Sequence, residues 1–184
     1  MNKINYISSI PSNAEAFVIS EIFNDKKDSI LYISKNDREI FNIKDKLNWL
    51  LPDVKVLVYR SWDQIPYDNV SPSKEIQSER IKTLYYLSKN NTKTIILTSI
   101  NAIIQKTIDK VFLNEYLIEI SVDKIFDFND LIIKLSQLGY QRTSVVRERG
   151  EFSVRGSIID IYISNEDAPI RIDFFDNKIE SIYI

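Results

Sequence analysis

The chain contains no cysteine and no histidine in its 184 residues. Disulfides, thiolate nucleophiles, imidazole bases and zinc sites of the usual ligand types are therefore excluded. It has only three glycines, and neither G-x-x-x-x-G-K-[ST] nor G-x-G-x-x-G can be read anywhere in it. A phosphate cradle of backbone N–H groups is thus not expected. No apolar run approaches the ~18 residues of a membrane span, and the opening MNKINYISSIPSN has no signal-peptide core. The expectation is a cytoplasmic protein that does not engage a membrane. A dominant charge is also missing: the formal net charge is −2, which argues against a surface that coats nucleic acid by charge alone.

What is there is enough apolar material, 44% of residues, for a sizeable core. Residues 14–24 read as a helix with Ala16, Phe17, Ile19, Ile22 and Phe23 on one stripe. Residues 29–34 form a short apolar strand. Residues 35–51 form a helix stopped at Pro52, followed by a strand over 54–59. Ser73 caps a helix running to Leu87, a strand covers 94–98, and a further helix covers 101–107. Apolar strands alternating with helices predict an α/β fold: a mostly parallel sheet, buried on both faces, of nucleotide-binding type without a nucleotide site.

From about Tyr116 the pattern changes. A strand is predicted over 116–122 and a helix over 127–138, ended by Gly139. Strands with period-two character follow at 141–149, 151–164, 169–175 and 178–184. Their turns fall at Gly150, at Asn165-Glu166-Asp167 and at Asp176-Asn177. The expected organisation is an α/β domain over residues 1–115 and a small antiparallel α+β module over 116–184. The last residues read as strand interior with no polar tail, as in a piece of a longer chain.

Five of the eight arginines, Arg142, Arg147, Arg149, Arg155 and Arg171, lie between Gly139 and Phe175, where no lysine occurs. Elsewhere the chain prefers lysine. The planar guanidinium suits bidentate carboxylate contacts and stacking on rings, and Phe152, Phe174 and Phe175 are close in sequence. Arginine beside an exposed aromatic is the composition of an interface hot spot. Composition alone favours a plainer reading, cross-strand ion pairs with Glu148, Glu151, Asp160 and Asp173 on a solvated face. Phosphate contact comes third, because acidic residues are interleaved. Asp160, Asp173 and Asp176 could form a carboxylate metal site, although turns and edges are the commoner use of such acids. The aromatic segment Trp62–Asp68 reads foremost as a packed loop over a sheet edge.

Specific strings then add a resemblance. Arg60-Ser-Trp-Asp-Gln-Ile-Pro-Tyr-Asp-Asn-Val-Ser-Pro-Ser73, Ser78-Glu-Arg-Ile-Lys-Thr-Leu-Tyr85 and Ile95-Ile-Leu-Thr-Ser-Ile-Asn-Ala-Ile-Ile-Gln105 resemble the amino-terminal region of bacterial transcription-repair coupling factors. So do Gly150-Glu-Phe-Ser-Val-Arg-Gly-Ser-Ile-Ile-Asp160 and Ile170-Arg-Ile-Asp-Phe-Phe-Asp-Asn-Lys-Ile-Glu-Ser-Ile182. The resemblance implies a degenerate helicase-like (RecA/Rossmann-like) layer without Walker motifs, similar to part of UvrB, and an α+β module that binds UvrA. It assigns UvrA contact to Arg155, Arg171 and Phe175, with Arg142, Arg149 and Phe152 as candidates for the rim. No cofactor is implied for this segment. ATP and magnesium would serve motor domains elsewhere in the longer protein, which would also engage RNA polymerase and double-stranded DNA. The segment itself is expected to be monomeric and not an enzyme. The alternative is a damaged-DNA-binding or nucleotide-hydrolysing α/β domain.

Overall fold

A computed structural model describes residues 4–11, 13–64, 71–89, 92–163, 166 and 168–184. It divides into two compact units, one of Met1–Pro72 with Glu79–Thr107 and one of Ser73–Ser78 with Ile108–Ile184.

The first unit is α/β. Helices α1 (Glu15–Asp25), α2 (Asp37–Leu50) and α3 (Lys74–Lys89, from Glu79 onward in this unit) alternate with strands β1 (Ile30–Ser34), β2 (Val56–Tyr59) and β3 (Ile95–Ser99). The strands form one parallel sheet in the order β1-β3-β2. Asn36 starts α2, its Oδ1 accepting from Glu39 N at 3.1 Å while its Nδ2 donates to Glu39 Oε1 at 3.2 Å. The helix ends just ahead of Pro52, because the residue before proline avoids the helical region.

Ala16, Ile19 and Phe23 of α1 and Ile40, Ile43 and Leu47 of α2 pack on Val56, Ile95 and Leu97. The central strand β3 is the most deeply buried, with Ile95 and Leu97 fully covered. Burial on both faces does not extend to the edge strand. Leu31 and Ile33 stay exposed, since β1 presents only Ile30 and Tyr32 to the helices. The predicted 101–107 helix is reduced to one turn, α4 (Ile100–Ile103).

At the carboxyl edge of this sheet Arg80 is 2% exposed. Its guanidinium carbon lies 4.1 Å from the centroid of Tyr59 and 4.0 Å from that of Trp62. Nη1 donates to the Arg60 carbonyl at 2.6 Å and to Gln105 Oε1 at 3.2 Å. Among the described residues two rings and three oxygen acceptors, the third being the Lys106 carbonyl at 3.5 Å from Nη2, surround the guanidinium. Trp62 therefore belongs to a packed segment, as expected; Ile65–Asp68 of the same string lie outside the described residues.

The second unit holds α5 (Lys110–Glu115), which was not anticipated, and α6 (Phe128–Gln137). Its strands are β4 (Gln141–Arg142), β5 (Glu151–Arg155), β6 (Ile158–Ile161), β7 (Ile170–Phe175) and β8 (Lys178–Tyr183). The sheet order is β4-β5-β6-β7-β8. Strands β5 to β8 pair antiparallel, but β4 pairs parallel to β5, so the sheet is mixed rather than antiparallel throughout. Three predicted strands need correction. Residues 116–122 form none; the nearest pairing is a single bridge between Ile125 and Lys178. The 141–149 strand stops after two residues, because the Glu151 carboxylate accepts from the backbone N–H of Arg147 (2.8 Å) and Glu148 (2.9 Å) and curls the chain away. The 151–164 strand is a hairpin that turns at Gly156, whose φ of 60° suits a residue without a side chain. Of the predicted turn at 165–167, Asn165 and Asp167 lie outside the described residues.

One face of this sheet packs beneath α6. Leu131 and Leu135 meet Phe152, Ile159, Ile161, Ile172, Phe174 and Ile179, and Phe128 meets Phe174 edge-on at 5.2 Å. Each such side chain contributes about 1.5–3 kcal/mol on burial.

The Arg80 stack yields the first prediction. Lysine cannot match a flat group held between two rings, so Arg80→Lys should lower the stability of the first unit by about 2 kcal/mol. Urea unfolding followed by tryptophan fluorescence reads this, and an unchanged midpoint contradicts it.

Candidate functional site

The second sheet has two faces, and α6 decides which residues occupy each. Because Phe152 and Val154 of β5, Ile159 and Ile161 of β6, and Ile172 and Phe174 of β7 point toward α6, their neighbours point away. The outer face therefore carries Arg155, then Ile158 and Asp160, then Arg171, Asp173 and Phe175. The pairing sets these in rows. Ser153, Asp160, Arg171 and Tyr183 form one row across four strands, and Arg155, Ile158, Asp173 and Ser181 form the next. Phe175 stands opposite Lys178.

The β7–β8 register shifts at Asp173/Phe174. Asp173 pairs with Ser181 and Phe174 with Ile179, which leaves Glu180 as an extra residue on β8. Thus β7 keeps its strict alternation, and Arg171, Asp173 and Phe175 share one side.

Arg171 and Arg155 both line a shallow depression of about 680 Å³ with Val145, Ile158, Asp160 and Tyr183. Arg171 holds Asp160 side-on, Nε to Oδ1 at 2.6 Å and Nη2 to Oδ2 at 3.0 Å. The Arg171 side chain is 50% exposed and that of Asp160 only 15%. These hydrogen bonds, with the nearby charge of Arg155 a smaller cause, hold the Asp160 carboxyl below its ordinary value, and they raise that of Arg171. Arg155 is exposed and tethered by Nη2 to the Ser144 carbonyl at 3.2 Å. Phe175 is 69% exposed and, among the described residues, is not part of the core packed beneath α6.

The structure thus brings Arg155, Arg171 and Phe175 onto one face. The three rim candidates do not join them in the same way. Phe152 is a correction: it is fully buried in the core, because alternation from Arg155 turns residue 152 inward. Arg149 lies apart from the depression. Its Nε and Nη2 donate to the Glu166 carbonyl at 3.2 and 3.1 Å, and its guanidinium lies over Tyr162 at 5.7 Å. Arg142 is exposed on β4 and does not line the depression.

The expectation of cross-strand ion pairs holds for Asp160 with Arg171, whereas Glu151 serves the backbone. Among the described residues no group of three acidic side chains could hold a metal ion. Tyr183 and the 145–146 loop were not anticipated. Tyr183 is aligned with Arg171 by the bulge, which alternation in the sequence does not reveal.

Comparison with known proteins adds to this geometry. The family model for the UvrB interaction domain matches residues 118–184. The chain is similar to the transcription-repair-coupling factor of Haemophilus influenzae, 28% identical over 98% of this chain and 16% of that protein. It is also similar to those of Escherichia coli, 25% identical over 92% and 14%, and Bacillus subtilis, 28% identical over 98% and 15%. The chain spans about a sixth of the length of these relatives.

A pH dependence follows from the site. Asp160 and Glu151 both titrate lower in the folded chain than the ordinary carboxylate, Glu151 chiefly through its two backbone hydrogen bonds. Their stabilisation is complete above the unfolded value near 4 and is lost as pH falls through the lower folded values. Denaturation of the second unit at stepped pH should show this decline below about pH 4, and Asp160→Asn should flatten part of it. A variant with the full wild-type slope contradicts the assignment.

Proposed function

Since the chain belongs, as a segment, to the transcription-repair-coupling factor family, we propose that its second unit docks UvrA in transcription-coupled nucleotide excision repair. The observation that supports this most is the common outward face of Arg155, Arg171 and Phe175. Two guanidiniums suit acidic groups on a partner, and the ring suits a desolvated pocket, the pairing of chemistries found at interface hot spots. The UvrB interaction domain matched over residues 118–184 covers all three.

On this reading the first unit is a degenerate helicase-like layer. Its carboxyl edge, where α/β sheets commonly bind ligands, is filled by the Arg80 stack. The segment then has no catalytic step of its own and recruits UvrA in the bacterial cytoplasm to lesions where RNA polymerase has stalled. Work on RNA polymerase and double-stranded DNA, driven by ATP and magnesium, is assigned to parts of the longer protein outside this chain.

Calorimetry of the chain with purified UvrA tests the reading. Arg155→Ala, Arg171→Ala and Phe175→Ala should each weaken binding by about tenfold or more, ~2 kcal/mol, while staying folded at the assay temperature, with Arg171→Ala giving up only the stabilisation from its pair with Asp160. No binding by folded wild type, or full binding by the Arg155→Ala, Arg171→Ala double variant, contradicts it. ATP or DNA turnover by the pure chain would instead favour the nucleotide-hydrolysing alternative.

A further inference from the structure

Asp160 is an acid on a face that the docking reading reserves for acidic partners. Its position decides what it does there. It sits on β6 directly opposite Arg171 of β7, and its other cross-strand neighbour is Ser153 of β5. Arg155 lies one row on, close enough for its charge to act on the same carboxylate. Asp160 therefore separates two guanidiniums that would otherwise repel across one strand.

The contact with Arg171 uses a particular edge. Asp160 takes Nε and Nη2, the side-on edge of the guanidinium. Nη1 makes no hydrogen bond among the described residues, so the end-on edge, Nη1 with the second Nη2 proton, is left to solvent. The carboxylate is itself mostly covered while the guanidinium is half exposed. Asp160 thus has little surface left to offer a partner, and Arg171 has a defined one.

Resting on the docking reading, we propose that Asp160 is a positioning residue for the partner: it grips the side-on edge of Arg171 and aims the end-on edge outward, so that the face selects a carboxylate arriving in the guanidinium plane. An arginine stem that is already held loses less freedom when the partner binds. The depression beside it, with Val145, Ile158 and Tyr183 in its lining, fits an apolar side chain next to that carboxylate. The chemical class of the partner element is therefore an acidic loop with an adjoining apolar residue. The rival role, a competitor that must be displaced, predicts effects of opposite sign.

The test is calorimetry of the full 184-residue chain with purified UvrA, together with the Arg171 Nε–H resonance of the chain alone. Asp160→Asn should weaken binding by about tenfold, and in an Arg171→Ala background it should cost nothing more, since it acts through that side chain. Asp160→Glu, which keeps the charge but moves it by one methylene, should also weaken binding, by about threefold or more. The Nε–H resonance should be slowly exchanging in wild type and lost in Asp160→Asn without any partner present. Wild-type or tighter binding by Asp160→Asn, wild-type binding by Asp160→Glu, additive losses with Arg171→Ala, or an unchanged Nε–H resonance overturns the inference and leaves the docking reading standing. No binding by the folded wild type overturns both.

Discussion

The packing of α6 onto one side of the five-stranded sheet governs everything the other side presents. Phe152, Ile159, Ile172, Phe174 and Ile179 are at most 3% exposed, and burying them is worth far more than any contact on the outer face. A slip of one residue in β5 or β7 would exchange that strand's faces and turn Arg155 or Arg171 into the core. The arrangement of Arg155, Arg171 and Phe175 is therefore a consequence of apolar burial beneath them. Even the bulge at Glu180 serves this constraint, because it lets Ile179 and Ile182, three residues apart, both turn inward.

Two kinds of arginine follow from two kinds of surroundings. Arg80 is sealed between Tyr59 and Trp62 with carbonyl acceptors, a task that needs a flat cation with weak hydration. Burial lowers its pKa from the usual value, with Tyr59 and Asp37 opposing, and the group stays a structural cation. Arg171 is half exposed and paired with one carboxylate on one edge. The first arginine closes a position where sheets of this type often hold a ligand. The second opens a surface. In both places lysine could neither stack nor fork, which accounts for arginine in a chain otherwise rich in lysine.

Much of the first unit was legible because its signals are local. Helix α2 is legible from its apolar spacing over 35–51 and its stop at Pro52, and the central strand from its apolar run Ile95-Ile96-Leu97. The exposure of Leu31 and Ile33 was not legible, since an apolar edge strand reads like an apolar central one. In the second unit Gly156 is the one turn residue between two apolar stretches, so two strands read as one, even though the inward positions change phase there from Phe152 and Val154 to Ile159 and Ile161. The curl at residues 143–149 depends on the Glu151 carboxylate reaching back to two backbone N–H groups, which polarity patterns do not encode. Phe152 was grouped with the arginines by closeness in sequence, although three positions along a strand is an odd step and reverses the face. Arg155, Arg171 and Phe175 came from family resemblance; that they face one way follows from period-two alternation in β5 and β7. Tyr183 joins them through a bulge, a feature fixed only by the fold.

The central claim is that the outer face of this sheet, and not its helix-covered side, is where the chain meets UvrA. A photo-crosslinking side chain placed at Tyr183, beside Arg171 on the outer face, addresses this most directly, with Ile133, exposed on α6, as the counterpart. The account predicts capture of UvrA from position 183 and none from 133. Capture from 133 with none from 183 would contradict it.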